Sequence, residues 1–480
     1  MSTAYVRPTI ERNRPGQMNP QARGDRVEPC AAIDGVAVEQ LARDHGSPLY
    51  VFSEATLRRA YRDLHGAFAR RYPDVQFAWS YKTNYLRAIC AIFHQEGAIA
   101  EVVSDFEYEK ARGLGIPGEA IIFNGPHKPR AALERAVDED ARIQVDNLDE
   151  LLLLADVAST RGRTIDVALR VHFDCGVRPA WTKFGFSADG PEFDLALERL
   201  AASGSLRLAG LHTHVGTFIL DPQVYARASA RLVELAAAAR NRHGFEVTSL
   251  NLGGGFPSRS QLHFQYYPAD QVVPSLDDYA EAVCRPILEG WPRGRPLPRL
   301  YLENGRALVD EAGSLVTTVV AVKSGQALAR AVPAAHYDRR KKAGHAVTGP
   351  GRHGNLLVDA GVNLLHTAAW YRFGVRPARP MPGPLHERTI YGCLCMNIDV
   401  LREGVALPDC EVGDLLVFHP VGAYNVTQSM QFISYRPRIV LVSEGGGVEV
   451  IREREDLRHV EALERLPERL ATFPAPGATP

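Results

Sequence analysis

The chain has 480 residues, 45% of them hydrophobic and 23% charged, with 55 Lys and Arg against 56 Asp and Glu for a formal net charge of −1. At about 100–200 residues per domain that is an ordinary globular chain of several modules. It is neither fibrous nor wholly disordered, and it offers no basic field for nucleic acid or an anionic membrane. No apolar run reaches the roughly 18 residues that would span a bilayer.

Residues 1–46 read as an N-terminal arm expected to join a later β domain. Their first 29 residues are polar, carry several Arg and Pro, and lack the apolar core of a secretory signal. The seven cysteines (Cys30, Cys90, Cys175, Cys284, Cys393, Cys395 and Cys410) are odd in number and mostly scattered, which points to a reducing, cytoplasmic compartment. Only Cys393 and Cys395 lie close together. A C-x-C pair without a second Cys/His cluster predicts no metal site.

From residue 47 to 306 short apolar runs alternate with helical patterns. Strands are predicted at Gln76–Tyr81, Ala98–Val103, Ala120–Asn124, Arg142–Val145, Asp166–Phe173, Arg207–His214, Val247–Leu252 and Arg299–Glu303. Helices fall between them, as at Leu86–Glu96, Phe106–Leu114 and Gln223–Arg242. Alternation of this kind implies parallel pairing, and eight units predict a (β/α)8 barrel. Residues 307–471 change texture. Runs such as SLVTTVVAVKS, RTIYGCLC and DLLVFHPVG, set off by Gly and Pro, predict a mostly antiparallel β domain. The basic stretch Ala327–Gly354 reads as a solvated loop, and the Pro/Ala-rich tail 472–480 as disordered.

Period-2 alternation sorts the strand faces. In the first barrel strand Phe77, Trp79 and Tyr81 share the face toward the helices, while Ala78, Ser80 and Lys82 share the interior. Lys82 then sits at the carboxyl end, where barrel chemistry resides. Arg170 with His172, His212 with His214, and Tyr301 with Glu303 point to the same mouth. The segment NLGGGFP follows the seventh strand, where barrel phosphate sites form, and three glycines let backbone N–H groups approach an anion. A lysine able to attack an aldehyde, a phosphate cradle and an acid for a ring nitrogen together are what pyridoxal 5′-phosphate requires. Alone, the lysine would read as a surface residue, His214 as a core histidine and Glu303 as an ordinary strand-end acid.

The ordered motifs SYKTN (80–84), EVVSDFE (101–107), TKFGFS (182–187), GLHTHVGT (210–217), NLGGGFP (251–257), ENGRALVDEAG (303–313), DAGVN (359–363), CMNID (395–399) and VGAYN (421–425) carry a resemblance over about residues 47–450. The chain resembles the fold-type III pyridoxal-phosphate decarboxylases, the group of diaminopimelate and ornithine decarboxylases. That resemblance implies an alanine-racemase-type barrel with a C-terminal β domain, and loss of an amino acid's α-carboxylate as CO2. It implies that Lys82 carries the cofactor as a Schiff base and that His214 stacks on its ring, with His212 nearby. Gly253, Gly254, Gly255, Arg306 and Tyr424 would hold the phosphate, and Glu303 would pair with the pyridine nitrogen. Cys395 would donate a proton to Cα, Asp399 would lie near the substrate's distal end, and the site would be shared across a homodimer.

Departures from the family pattern bear on the substrate. Met396 stands where a Glu usually follows the catalytic Cys, and Thr367, beside His366, stands where an Arg usually grips a distal carboxylate. Arg178 is a candidate replacement for that anion partner. Glu101 and Asn304 replace the usual Asp and Pro near the cofactor. Losing two charge-assisted contacts, about 1.5–3 kcal/mol each, predicts an amino acid other than typical meso-diaminopimelate. Diaminopimelate itself, racemisation and a non-catalytic cofactor-binding protein are the alternatives.

Overall fold

In the computed structural model the described residues are 27–179, 181–263, 265–323 and 354–471. The expectations for the first 26 residues, for the basic stretch as far as residue 353 and for the tail lie outside them. Eight strands form a closed parallel barrel: β1 Val75–Ser80, β2 Ile99–Val102, β3 Ile121–Phe123, β4 Arg142–Val145, β5 Ile165–His172, β6 Leu206–His212, β7 Ser249–Asn251 and β8 Arg299–Asn304. β8 returns to β1 with Glu303 opposite Ala78, and β5 meets β6 with Arg170 opposite His212. The expected barrel and its strand order hold. The widest boundary differences are at β7, which pairs over three residues, and at His214, which lies two residues past the end of β6.

The alternation read from the sequence explains the layers. Phe77 and Trp79 are fully buried against the helices: Phe77 lies 5.6 Å from Tyr61 and 5.9 Å from Phe68, and Trp79 lies 4.1 Å from Phe93, between ring centroids. Each such side chain contributes about 1.5–3 kcal/mol on leaving water. On the inner face Ala78, Ile122 and Tyr301 form a small plug, and polar residues take over above it. Ser53, Ser104, Asn147 and Ser275 accept N-terminal helix N–H groups and fix where the helices begin.

The second domain is built on the long strand β9, Gly313–Lys323. β9 pairs antiparallel with Asn355–Val358, with Leu415–His419 and with Leu49–Ser53. Leu49–Ser53 lies within the span assigned to the barrel by sequence, yet it is a central strand of this sheet and also pairs in parallel with Ile439–Val442. All five of its residues are buried: Tyr50 and Phe52 join the main core, while Leu49 and Val51 join a second cluster. A strand covered on both faces shows no alternation, so its partners are not legible locally. Val36, Val38 and Leu41 join the second cluster, and the Cys30 N–H donates to the Pro377 carbonyl.

Candidate active site

Each barrel strand delivers a buried polar side chain into the mouth at its carboxyl end. In order they are Ser80, Glu101, Asn124 just past β3, Gln144, Arg170, His212, Asn251 and Glu303. Lys82 rises from the single turn Tyr81–Thr83 that follows β1. Its Nζ donates to Glu101 Oε2 at 2.7 Å and to Oε1 at 2.9 Å, and Ser80 Oγ donates to the same carboxylate at 2.6 Å. Burial pulls the ammonium's pKa down, but Glu101, then Glu303 and Tyr424, outweigh it and hold the pKa above the ordinary lysine value. The Lys82 side chain keeps 32% exposure, so it is neither a surface lysine nor sealed in the core.

Glu303 accepts from Asn251 Nδ2 at 2.7 Å, from Asn124 Nδ2 at 3.1 and 3.2 Å and from Gln144 Nε2 at 3.3 Å; His212 Nε2 lies 3.6 Å away. Burial would raise its pKa, but the His212 contact and the Lys82 cation outweigh burial and hold it well below the usual carboxylate range. His214 is pushed down to about 3, by burial first and then by the Lys82 and Arg170 cations, so its imidazole is neutral. The indole of Trp181 stacks on that imidazole, with centroids 5.5 Å apart and planes within 10°.

The glycine turn abuts these groups. Gly253 and Gly255 adopt φ of +63° and +95°, which disfavour any L side chain. A Cβ at Gly254 would collide with the Glu303 carbonyl oxygen, and one at Gly253 would meet His214 at 2.9 Å. The N–H groups of Gly254 and Gly255 make no hydrogen bond among the described residues. Arg306 is 8% exposed and lies 4.4 Å from the Tyr371 ring and 5.0 Å from the Tyr424 ring. Its Nε has no partner among the described residues. Open backbone donors and a turn without side chains suit an anion, and the buried Arg306 guanidinium, whose Nη1 lies 3.5 Å from Asp310 Oδ2, keeps its Nε open. Tyr424 is bound to this region through its N–H, which donates to the Thr83 carbonyl at 2.9 Å.

The remaining expected residues come from loops outside the barrel strands. Cys395 is exposed on the loop between strands His386–Tyr391 and Val400–Leu407 of the β domain, and it makes no hydrogen bond to the barrel among the described residues. Asp399 organises that loop: its two oxygens accept the Val362 and Leu394 N–H groups, both at 2.7 Å. Gly392 packs directly on this carboxylate. One acceptor site on each Asp399 oxygen is thus taken by backbone. Arg178 is exposed, and its guanidinium pairs with Asp174 at 2.8 Å. Thr367 is buried and both its N–H and hydroxyl donate to Asn425 Oδ1, at 3.0 and 2.9 Å. His366 stands edge-on to Trp370, and Met396 is half-buried.

Sequence reasoning overlooked Asn124, Gln144, Trp181 and Tyr371. Gln144 carried a usable signal, as the polar residue at an inward position of RIQV. Trp181 carried none, because its loop has no periodicity.

Comparison with known proteins agrees with the geometry. The family model described as "Pyridoxal-dependent decarboxylase, pyridoxal binding domain" matches residues 55–310. A diaminopimelate decarboxylase of Methanothermobacter thermautotrophicus is 30% identical over 454 residues, covering 91% of this chain and 96% of that protein. The Bacillus subtilis diaminopimelate decarboxylase is 29% identical over 446 residues, covering 90% and 94%. The structure of the diaminopimelate decarboxylase of Methanocaldococcus jannaschii in co-complex with L-lysine superposes with a TM-score of 0.79 at 27% identity, covering 93% of this chain and 99% of that one.

Proposed function

Since the chain belongs to the pyridoxal-dependent decarboxylases, we propose that this amino-acid decarboxylase acts on diaminopimelate, as a homodimer in the cytoplasm. The relatives' names support that substrate over the different amino acid favoured by sequence alone. They are names of decarboxylases, which sets aside racemisation and a silent carrier. One observation carries the chemistry: the anion cradle, the acid Glu303, the neutral His214 and the amine of Lys82 occupy a single barrel mouth. The residues present fit pyridoxal 5′-phosphate, because the open Gly254 and Gly255 donors and the Arg306 Nε await an anion.

When bound, the cofactor supplies the electron sink that accepts the pair left as CO2 departs. Glu101 holds the proton on Lys82 Nζ and is placed to take it when the neutral amine is needed. Glu303, kept ionised, favours a proton on the ring nitrogen. His214 offers a flat neutral ring, and Trp181 stacks on that ring. Arg306, Tyr424 and the glycine N–H groups bind the phosphate. Cys395 of a second copy delivers the proton to Cα.

Sharing of the site is supported by the exposure of Cys395 in the single chain. It is supported too by the exposed apolar side chains Trp370, Ile398, Met430 and Ile433 near the same loop. The seven unpaired cysteines support a reducing compartment. A second reading, a different amino acid, is favoured by one observation: none of Met396, Thr367 and Arg178 offers a free charge for a distal group.

Trapping of CO2 from meso-diaminopimelate, L-lysine, L-ornithine and L-arginine separates the two readings. Fastest release from diaminopimelate is expected. Release from another amino acid with none from diaminopimelate would establish the second reading. A visible cofactor band that survives Lys82→Ala would remove Lys82 from the site.

A further inference from the structure

We propose that Asn124 and Asn251, assisted by Gln144, are positioning residues that keep Glu303 ionised and aimed at the cofactor's ring nitrogen. The inference rests on the cofactor reading above and deepens it. Both asparagines have their amide orientation fixed by backbone. Asn251 Oδ1 accepts the Gly253 N–H at 2.8 Å, which turns its Nδ2 onto Glu303. Asn124 Oδ1 accepts the Gly125 N–H at 3.0 Å, which turns its Nδ2 toward Glu303 and, at 3.4 Å, toward Glu101. Asn251 therefore ties the phosphate turn to Glu303, and Asn124 ties Glu303 to the partner of Lys82.

The donors are distributed unevenly over the carboxylate. Among the described residues Oε1 receives Asn251, Asn124 and Gln144, whereas Oε2 receives Asn124 alone, at 3.1 Å. A carboxylate has about four acceptor sites, so Oε2 keeps room for one more N–H. Neutral amide donors stabilise the anion without cancelling its charge, which stays available to a pyridinium. The charged or titratable groups facing Glu303 are Lys82, Arg170, His212, His214 and Glu101. The buried Lys128 locks the support, with Nζ donating to the Gly125 and Gln144 carbonyls at 2.9 Å each and to Glu150 at 2.7 Å.

The test uses the full-length enzyme loaded with ring-15N-labelled pyridoxal 5′-phosphate, with the ring 15N resonance followed against pH. Wild type should hold the ring nitrogen protonated across the range in which it is folded. Asn251→Leu and Asn124→Leu, changes of nearly equal size that remove the donors and add no charge, should move its titration down by about one pH unit or more. They should also lower kcat by about 10- to 100-fold with little change in KM. Asn124→Gln, which keeps an amide, should restore the resonance in part. If one Leu variant does not fold, the other gives the same reading. Folded variants with a wild-type resonance at every pH would overturn the inference and leave the cofactor site standing. A wild-type ring nitrogen that is already unprotonated would overturn the Glu303 pairing itself, and this inference with it.

Discussion

Glu101→Gln should destabilise the cofactor-free protein by about 2–3 kcal/mol and lower the pKa of Lys82. Breaking a buried ion pair by removing one charge costs about 3–5 kcal/mol. Glu101 is fully buried and takes three short hydrogen bonds, two from Lys82 and one from Ser80, which argues for the whole of that cost. Two features reduce it: the Lys82 side chain keeps 32% exposure, and Glu303 remains as a second carboxylate. Glu101→Asp keeps the charge one methylene further away and should lose about 1 kcal/mol. Urea unfolding at pH 7 measures both losses. Because the folded-state pKa of Lys82 is raised, the contribution of the pair is complete below the unfolded lysine value of about 10.4 and is lost only as pH rises through the higher folded value. The gap between wild type and Gln variant should therefore persist through pH 7–9 and narrow only in strong alkali. Borohydride trapping of the cofactor on Lys82, followed against pH, should reach half its maximum rate at lower pH in the Gln variant. A loss below about 1 kcal/mol together with an unchanged trapping profile would refute the assignment of Glu101 as the partner that sets the charge on Lys82.

Gly254→Ala should abolish cofactor retention, because its Cβ collides with the Glu303 carbonyl beside the anion cradle; absorbance after gel filtration reads this, and full retention would remove the turn from the cradle. Cys395→Ala should reduce turnover at least about 100-fold with the cofactor band retained, and unchanged amine production would reassign the proton donor. Met396→Glu should raise kcat/KM for diamino acids, measured as CO2 release, since it restores a carboxylate for a distal ammonium; no gain would place the distal pocket elsewhere. Between pH about 6.5 and 3 the unfolded chain takes up a proton that buried His214 refuses, so stability should fall as pH falls, by up to about 1.4 kcal/mol per pH unit. Denaturant unfolding of His214→Phe over that range should have a shallower slope, and an equal slope would contradict the neutral burial of His214.

The barrel and the core of its mouth were legible because their signals are local. A strand with one face toward helices and the other toward a crowded interior must alternate, as Phe77, Ala78, Trp79 and Ser80 do. That alternation, with the carboxyl-end rule, puts Lys82, Glu303 and the triple glycine in one mouth before any contact is known. The tertiary structure decided whatever depends on partners distant in the chain. Leu49–Ser53 is claimed by strands more than two hundred residues away, and burial on both faces erases the pattern that would have announced it. Asp399 accepts the Val362 and Leu394 N–H groups and Arg178 pairs with Asp174, contacts that no local pattern announces. The amides around Glu303 come from three other strands. A carboxylate's protonation is set by how many donors surround it in space, and residue spacing along the chain does not encode that number.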